Sequence, residues 1–190
     1  MISKNNITGI ILAGGKSSRM GTDKATLLLK EKNFIQHIIV AMKPLVNNMI
    51  IVSDNPNHEE FEIERIEDVI KDAGPLAGIY SGLQYSKTDY NLVVSCDVTL
   101  ITCEVLKQLS DNYEEGFDFI QLKSNQKTMP LTAIYKKTCE QLIKKLLDKG
   151  ERRVRFAVSQ IKTKTITLDD NLASAIININ TKEEFDAITN

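Results

Sequence analysis

The feature that most limits what this sequence can fold into is an apolar run that breaks off into a glycine-rich, basic loop. The run from Ile7 to Leu12 is followed by Ala13-Gly14-Gly15, and three basic residues come next: Lys16, Arg19 and Lys24. Adjacent glycines let the backbone approach a ligand with its N–H groups turned inward, and the cations attract phosphate oxygens. Open α/β sheets bind ligands where their strands end. The pattern therefore predicts a phosphate-binding loop in an α/β fold.

Two familiar nucleotide-binding loops can be excluded on the same residues. The first glycine of a Walker A loop would fall on Ile10, and Lys16 interrupts the glycine spacing of a dinucleotide-binding loop. The pattern that remains resembles the signature of nucleotidyltransferases, which move a nucleoside monophosphate from a triphosphate to an acceptor. It runs Leu12-Ala13-Gly14-Gly15-x-Ser17-x-Arg19-Met20-Gly21-x-Asp23-Lys24. A solvated glycine turn is the alternative, but the strand, glycines and spaced cations occurring together favour the functional interpretation.

Length and charge narrow the class of protein. A chain of 190 residues is long enough for one packed domain, so we expect residues 1–190 to form a single nucleotidyltransferase domain. The net charge of −1 and the interspersed Lys and Glu argue against a nucleic-acid-binding surface. The odd number of cysteines and the absence of a signal peptide or long apolar stretch predict reduced thiols, a cytoplasmic location and no membrane association.

The rest of the chain alternates between strand and helix patterns, which predicts a Rossmann-like three-layer α/β sandwich with a mostly parallel sheet. Two late strands joined by a short polar segment indicate a hairpin, so we expect the sheet to become mixed there. The predicted strands are Ile7–Leu12, Met49–Val52, Phe61–Ile66, Tyr90–Ser95, Phe117–Leu122, Leu131–Tyr135, Ile166–Leu168 and Ala175–Ile179. The predicted helices begin near Phe34, Pro75, Thr102, Thr138 and Thr181, the last two with capping boxes.

Polar residues at the predicted strand ends are the candidate ligands. Asp97 follows the most strand-like run and is a candidate Mg²⁺ ligand, because Thr102 can cap the next helix itself. Asn55 either makes a turn or recognises the base or ribose, and the sequence leaves both interpretations open. Gly78 lies in a run of small residues that leaves room for a flat base or for close helix packing. Arg152 and Arg153 either hold a second anion or form a solvated turn at a helix end.

Taken together, six segments resemble the molybdenum cofactor guanylyltransferase family across nearly the whole chain. The loop signature is shared with other nucleotidyltransferases, whereas the GERRV and NINTKEEF segments select this family. The segments are LAGGKSSRMGTDK at 12–24, DAGPLAGIYSGL at 72–83, CD at 96–97, PLTAIY at 130–135, GERRV at 150–154 and NINTKEEF at 178–185.

The resemblance implies that the protein transfers GMP from GTP to molybdopterin and releases pyrophosphate, with Mg²⁺ as cofactor. It implies protein partners among molybdoenzymes or the enzymes of cofactor biosynthesis. The implied GTP-binding residues are Leu12, Ala13, Gly14, Gly15, Lys24, Asp68 and Asp97, with Asp97 also holding Mg²⁺. Arg19 and Lys24 are expected to stabilise charge on the pyrophosphate. The family-selective segments supply the residues expected to bind molybdopterin, namely Arg152, Arg153, Asn178 and Asn180.

Three departures from the family pattern are visible, and one of them lies around Ser17-Ser18, where the family has Arg or a small residue in varied places. Val98-Thr99 stands where the family usually has x-Pro after Cys-Asp, and Ser53 stands where it usually has Asn, which puts one base or ribose contact in doubt. Two other functions stay open at this point. A related cytidylyl- or sugar-phosphate nucleotidyltransferase would share the first loop, and a non-catalytic nucleotide-binding protein would be expected to lack Lys24 or Asp97.

Overall fold

The computed structural model describes residues 1–14, 24–179 and 181–189. Its centre is a seven-stranded sheet in the order β5-β4-β1-β6-β8-β7-β9, and a separate pair of two-residue strands, β2 and β3, follows the first loop. The strands are β1 (Ile7–Leu12), β2 (Leu28–Leu29), β3 (Lys32–Asn33), β4 (Asn48–Val52), β5 (Glu64–Ile66), β6 (Tyr90–Ser95), β7 (Phe119–Ser124), β8 (Lys127–Lys136) and β9 (Thr163–Thr167). The helices are α1 (Phe34–Met42), α2 (Pro75–Tyr85), α3 (Cys103–Asp111), α4 (Cys139–Asp148), α5 (Val154–Val158) and α6 (Lys182–Thr189).

Helices cover both faces of the sheet, so the predicted three-layer sandwich is confirmed. Helices α1 and α3 contribute to the hydrophobic core on one face, and α2 and α4 contribute to the core on the other. Strand β1 is buried along its whole length between parallel neighbours β4 and β6, as a near-continuous apolar run predicts. Among the residues described, we find no helix with the length and apolar character needed to span a bilayer.

The sheet becomes mixed at β8, which runs antiparallel to both β6 and β7. The predicted hairpin is confirmed, although its connection is only two residues long. Asn125 and Gln126 both have positive φ angles, 47° and 63°, as a tight turn between twisted strands requires. Strand β9 then pairs in parallel with β7 at the sheet edge.

Two predictions about local structure are wrong. The strand expected over Ala175–Ile179 is absent, and the 3₁₀ helix Asp170–Ile176 precedes an irregular segment in its place. This segment meets the end of β6, where Ile179 N donates to Asp97 O, and it is not a member of either sheet in the described part of the chain. Thr138 adopts helical backbone angles and its side chain makes no capping bond, so the first of the two predicted capping boxes does not form.

Another predicted strand is shorter than expected, and two predicted helix caps are confirmed. The weak strand expected over Phe61–Ile66 begins only at Glu64, because a 3₁₀ helix occupies Pro56–Phe61. The capping box at α6 is confirmed: Thr181 N donates to Glu184 Oε2 at 3.0 Å, and Glu184 N donates to Thr181 Oγ1 at 3.2 Å. Thr102 caps α3 through its hydroxyl, as predicted.

Helix α2 approaches β1 through Gly82. A Cβ atom built at Gly82 would lie 2.6 Å from Ile10 Cγ2 and 2.9 Å from Ile10 Cδ1. We therefore expect Gly82→Ala to lower the free energy of unfolding by about 1–3 kcal/mol, because overpacking against a fixed strand outweighs the gain in helix propensity. Urea unfolding measures this, with Gln84→Ala on the exposed face of the same helix as the control. A Gly82→Ala protein as stable as the control would contradict the prediction.

Candidate functional site

Four of the proposed GTP-binding residues, Leu12, Gly14, Asp68 and Gly78, lie together where β1 and β5 end and α2 begins. Strand β1 lies where the chain order along the sheet reverses, which is where open α/β sheets bind ligands. A Cβ at Gly14 would lie 3.5 Å from Asp68 Oδ2, and one at Gly78 would lie 3.6 Å from Asp68 Oδ1 and 3.2 Å from Leu12 Cδ2. The two glycines thus leave the Asp68 carboxylate accessible between two stretches of backbone.

Helix α2 contributes its first two turns to this cradle, the group formed by Leu12, Gly14, Asp68 and Gly78. Gly74 precedes it with φ 71°, and Pro75 occupies its first turn, so the helix starts as the sequence predicts. Ser81 holds the loop that carries Asp68: its hydroxyl accepts from Val69 N at 3.0 Å and lies 3.3 Å from Asp68 Oδ1. Asp68 therefore has a fixed position beside the first two turns of α2.

Burial raises the pKa of Asp68, the neighbouring Asp54 carboxylate raises it further, and the Ser81 hydrogen bond partly opposes both effects. A carboxyl group whose pKa is raised in the folded state destabilises that state at neutral pH, and this cost disappears as pH falls below the ordinary aspartate pKa of about 3.9. We expect Asp68→Asn to raise Tm at pH 7 and to lose that advantage near pH 4. Differential scanning fluorimetry at both pH values checks this, and an equal gain at both would contradict it.

The loop after β4 is organised by its own side chains. Asn55 N donates to Ser53 Oγ, and Asn55 Oδ1 accepts from Asn57 N, both at 3.0 Å. The loop is tied to the Asp68 loop by Asp54, whose Oδ1 accepts from Asp68 N at 3.2 Å and from Lys71 Nζ at 2.6 Å. The turn interpretation of Asn55 therefore accounts for its side-chain oxygen, and recognition of a base by Asn55 stays a prediction.

Asp97 follows β6 directly, one strand away from β1. Its Oδ1 atom is buried and has no hydrogen-bond partner among the described residues, although the residue as a whole is only half-buried. A buried carboxylate oxygen without a donor is costly unless a cation or donor joins it. The chemistry of this carboxylate fits a hard divalent cation such as Mg²⁺.

A pocket of about 370 Å³ opens near the end of β6, between β8, α5 and the segment that follows the last 3₁₀ helix. Its walls are mainly apolar, with threonine, asparagine and arginine side chains among them. The lining residues are Val98, Thr128, Met129, Pro130, Leu131, Thr132, Arg153, Val154, Arg155 and Asn178. Asn178 Oδ1 and Thr132 Oγ1 are buried and have no partner within the described part of the chain.

The structure separates the two adjacent arginines. Arg153 lines the pocket, where two of its nitrogens donate to Glu151 at 2.9 and 2.6 Å and its guanidinium lies 5.1 Å from the Phe156 ring centre. The Arg153 hydrogen bond is the largest influence that lowers the pKa of Glu151, to about 2. Arg152 instead donates to Leu147 O at 2.9 Å at the carboxyl end of α4. Arg152 thus lies at the helix end, which is one of the two alternatives that the sequence left open, and it does not line the pocket.

Several of the proposed site residues lie outside the described ranges. These residues are Gly15, Arg19 and Asn180. Ala13 and Leu12 end β1 as predicted, and Lys24 begins a 3₁₀ helix immediately after the undescribed part of the loop. Sequence reasoning missed Arg155, Thr128 and Thr132. Thr132 lies inside the PLTAIY segment, but nothing in its local pattern indicates a pocket wall.

The chain is similar to known proteins over most of its length. Residues 9–163 match the family model described as MobA-like NTP transferase domain. The chain is 33% identical over 178 residues to a probable molybdenum cofactor guanylyltransferase from Flavobacterium johnsoniae, covering 94% of each chain. It is 43% identical over 139 residues to a protein of the same name from Clostridium perfringens, covering 72% of this chain and 69% of that one. Molybdopterin-guanine dinucleotide biosynthesis protein A from Archaeoglobus fulgidus has the same fold, with a TM-score of 0.81, 22% identity and 96% coverage of both chains.

Proposed function

Because the chain belongs to the MobA-like NTP transferase family, we propose that it transfers GMP from GTP to molybdopterin and releases pyrophosphate. The observation that carries this proposal is a pocket at the amino end of β8, next to the end of β6 that Asp97 follows, with the cradle at the end of β1 on the other side of β6. Two binding regions on either side of the strand that Asp97 follows suit a reaction that joins two phosphorylated substrates.

The cradle at β1 is the proposed GTP-binding region. Gly14 and Gly78 leave space for a flat base or ribose against the backbone, and Asp68 can accept hydrogen bonds from its N–H or O–H groups. Lys24 follows the loop signature and provides positive charge for the triphosphate, together with Arg19. GTP is the donor in this proposal because the relatives that cover two thirds or more of the chain are named guanylyltransferases.

Mg²⁺ is the proposed cofactor, with Asp97 as its protein ligand. In the described part of the chain, no group of three or more His, Cys, Asp and Glu side chains could hold a metal ion. A single strand-end carboxylate is sufficient for Mg²⁺ when phosphate oxygens and water complete the octahedron. The ion supplies neutralisation of phosphate charge in such reactions.

In this proposal the protein side chains position the two substrates and stabilise the charge that develops on pyrophosphate. The attacking group is an oxygen of the acceptor phosphate, which is already anionic at neutral pH, so no general base is needed. The bond to the α-phosphorus forms as the bond to pyrophosphate breaks, and the Lys24 and Arg19 cations with the Gly14 and Gly15 amides are proposed to stabilise the departing charge.

The acceptor region in this proposal is the pocket lined by Arg153 and Asn178. Apolar walls suit the faces of a pterin ring, the Asn178 amide suits its polar edge, and Arg153 attracts its phosphate. We place the reaction in the cytoplasm, since an odd number of cysteines with no Cys-x-x-Cys pair predicts reduced thiols. Molybdoenzymes or other cofactor-biosynthesis proteins are the proposed recipients of the product.

Incubation of the protein with GTP, Mg²⁺ and molybdopterin tests the proposal directly. We expect a guanine dinucleotide of molybdopterin and one equivalent of pyrophosphate, detected by mass spectrometry and by a coupled pyrophosphate assay. CTP and UTP in place of GTP are the matched controls. A dinucleotide formed from CTP but not from GTP would overturn the assigned donor, and no product with any nucleotide would overturn the assigned reaction.

Substitution of Arg153 tests whether the donor and acceptor regions bind their substrates independently. We expect Arg153→Ala to raise the KM for molybdopterin about tenfold, because a charge-assisted contact to phosphate is lost, and to leave the KM for GTP unchanged. Arg152→Ala is the matched control, since that side chain contacts the end of α4. Equal increases in both KM values would contradict the division into donor and acceptor regions.

A further inference from the structure

The pocket wall formed by β8 contains an irregularity in the sheet. In the pairing of β7 with β8, Gln121 pairs with Ala133, but the next residue, Leu122, pairs with Met129. Pro130, Leu131 and Thr132 are therefore extra residues with no partner on β7. All three line the pocket. A bulge of this kind bends a strand and changes the direction of its side chains, and such bulges are frequent beside active sites.

The two ends of the bulge are fixed by different contacts. At its carboxyl end, Thr132 is paired with Val94 of β6, and the residues from 133 to 135 are paired with both β6 and β7. Before its amino end, Thr128 is held by Arg155 of α5, which donates to Thr128 Oγ1 at 2.8 Å and to Thr128 O at 3.1 Å. The middle of the bulge lacks ladder bonds to β7, so its shape depends on other contacts.

One such contact comes from inside the core. Tyr135 is fully buried, its ring packs on Phe119 with centroids 4.5 Å apart, and its hydroxyl donates to Pro130 O at 2.7 Å. Burial raises the pKa of Tyr135 well above its usual range, so the hydroxyl keeps its proton and remains a donor. Pro130 falls outside the residue pairs that join β8 to β6 and β7.

We propose that Tyr135 is a positioning residue for the acceptor: its hydroxyl fixes the Pro130–Thr132 bulge and thereby the shape of the pocket wall. The residue is unable to touch a ligand itself, since its side chain has no exposed surface. The link to the acceptor rests on the proposed function, whereas the effect on the bulge does not.

Tyr135→Phe tests this proposal because it removes only the hydroxyl and preserves the ring packing. The matched control is Tyr90→Phe, which removes a tyrosine hydroxyl bond to Tyr113 Oη, 2.9 Å long, at the opposite end of β6. Two measurements are made on each variant. Amide hydrogen exchange, resolved by NMR, follows Leu131 and Thr132, and steady-state kinetics give KM separately for GTP and for molybdopterin.

For Tyr135→Phe we expect exchange of the Leu131 and Thr132 amides to become at least about tenfold faster, and the KM for molybdopterin to rise about tenfold with the KM for GTP unchanged. Tyr90→Phe should change neither. Unchanged exchange at the bulge in Tyr135→Phe overturns the positioning role whether or not the protein makes the dinucleotide. Faster exchange with an unaltered KM for molybdopterin, or with equal increases in both KM values, overturns the link to the acceptor. If the wild-type protein makes no dinucleotide, the proposed function is wrong, and so is the effect of Tyr135 on acceptor binding. The exchange data still decide whether Tyr135 fixes the bulge.

Discussion

Asp97→Asn lowers the rate of guanylyl transfer by about two to three orders of magnitude in our expectation, and it leaves the fold intact. The amide has almost the same shape as the carboxylate but carries no charge with which to hold Mg²⁺. The Oδ1 atom of Asp97 is already buried without a described donor, so the uncharged side chain should be accepted without loss of stability. A Mg²⁺ titration of turnover measures the effect, and circular dichroism checks the fold.

The control for this substitution is Asp148→Asn. Asp148 is an exposed carboxylate on α4 that pairs with Lys144 at 2.9 Å, far along the chain from the proposed metal site. We expect it to change neither turnover nor its Mg²⁺ dependence, since exposed ion pairs contribute little to stability. Asp97→Asn with wild-type turnover at limiting Mg²⁺ would remove Asp97 from the metal site.

The second large effect is expected at Lys24. Its backbone is held in place by the buried Ala25 beside it and by Leu27 N, which donates to Lys24 O at 3.2 Å. The side chain is half-buried at the point where the chain leaves the glycine-rich loop. Lys24→Ala should reduce kcat on the order of 10²-fold or more, because charge that builds on the departing pyrophosphate loses a cation.

Lys32→Ala provides the comparison for Lys24. Lys32 is exposed in β3, eight residues further along the chain, and carries the same charge. The sequence also suggests a second comparison, since Lys16→Ala should matter less than Lys24→Ala if Lys16 points to solvent. Single-turnover rates with saturating GTP isolate the chemical step. Equal losses for Lys24→Ala and Lys32→Ala would mean that the effect is one of overall charge and that the loop signature has been misread.

Much of the fold was predictable because its central strands are buried on both faces. Strands β1 and β6 appear at the predicted boundaries, since an apolar run ended by glycines or by Cys96-Asp97 leaves little choice of structure. Helix α2 was equally clear from Gly74-Pro75. The segment 175–179 has the same apolar character but meets the end of β6 through one main-chain bond and does not pair along a strand, and composition alone does not reveal that.

The candidate site was predictable only where its residues follow local rules. Asp68, Gly14 and Gly78 come together because each lies next to the end of a strand or the start of a helix. The bulge at Pro130 depends on the register between two strands and on a tyrosine five residues away, so no short motif encodes it. Arg152 and Arg153 look alike in sequence, and the turn at Gly150, with φ 82°, precedes their divergence in space.

The bond from Ile179 N to Asp97 O, 2.8 Å long, joins the segment that carries Asn178 to the end of β6 through main-chain atoms. Ile179 itself is buried in a small cluster with Leu29 and Phe34, which anchors that segment from behind. Any residue except proline can make this bond. The relative position of the two proposed substrates thus depends on main-chain atoms and not on the identity of the side chain at 179. Substitutions in the acceptor pocket can therefore change the phosphorylated partner without moving the segment relative to the end of β6.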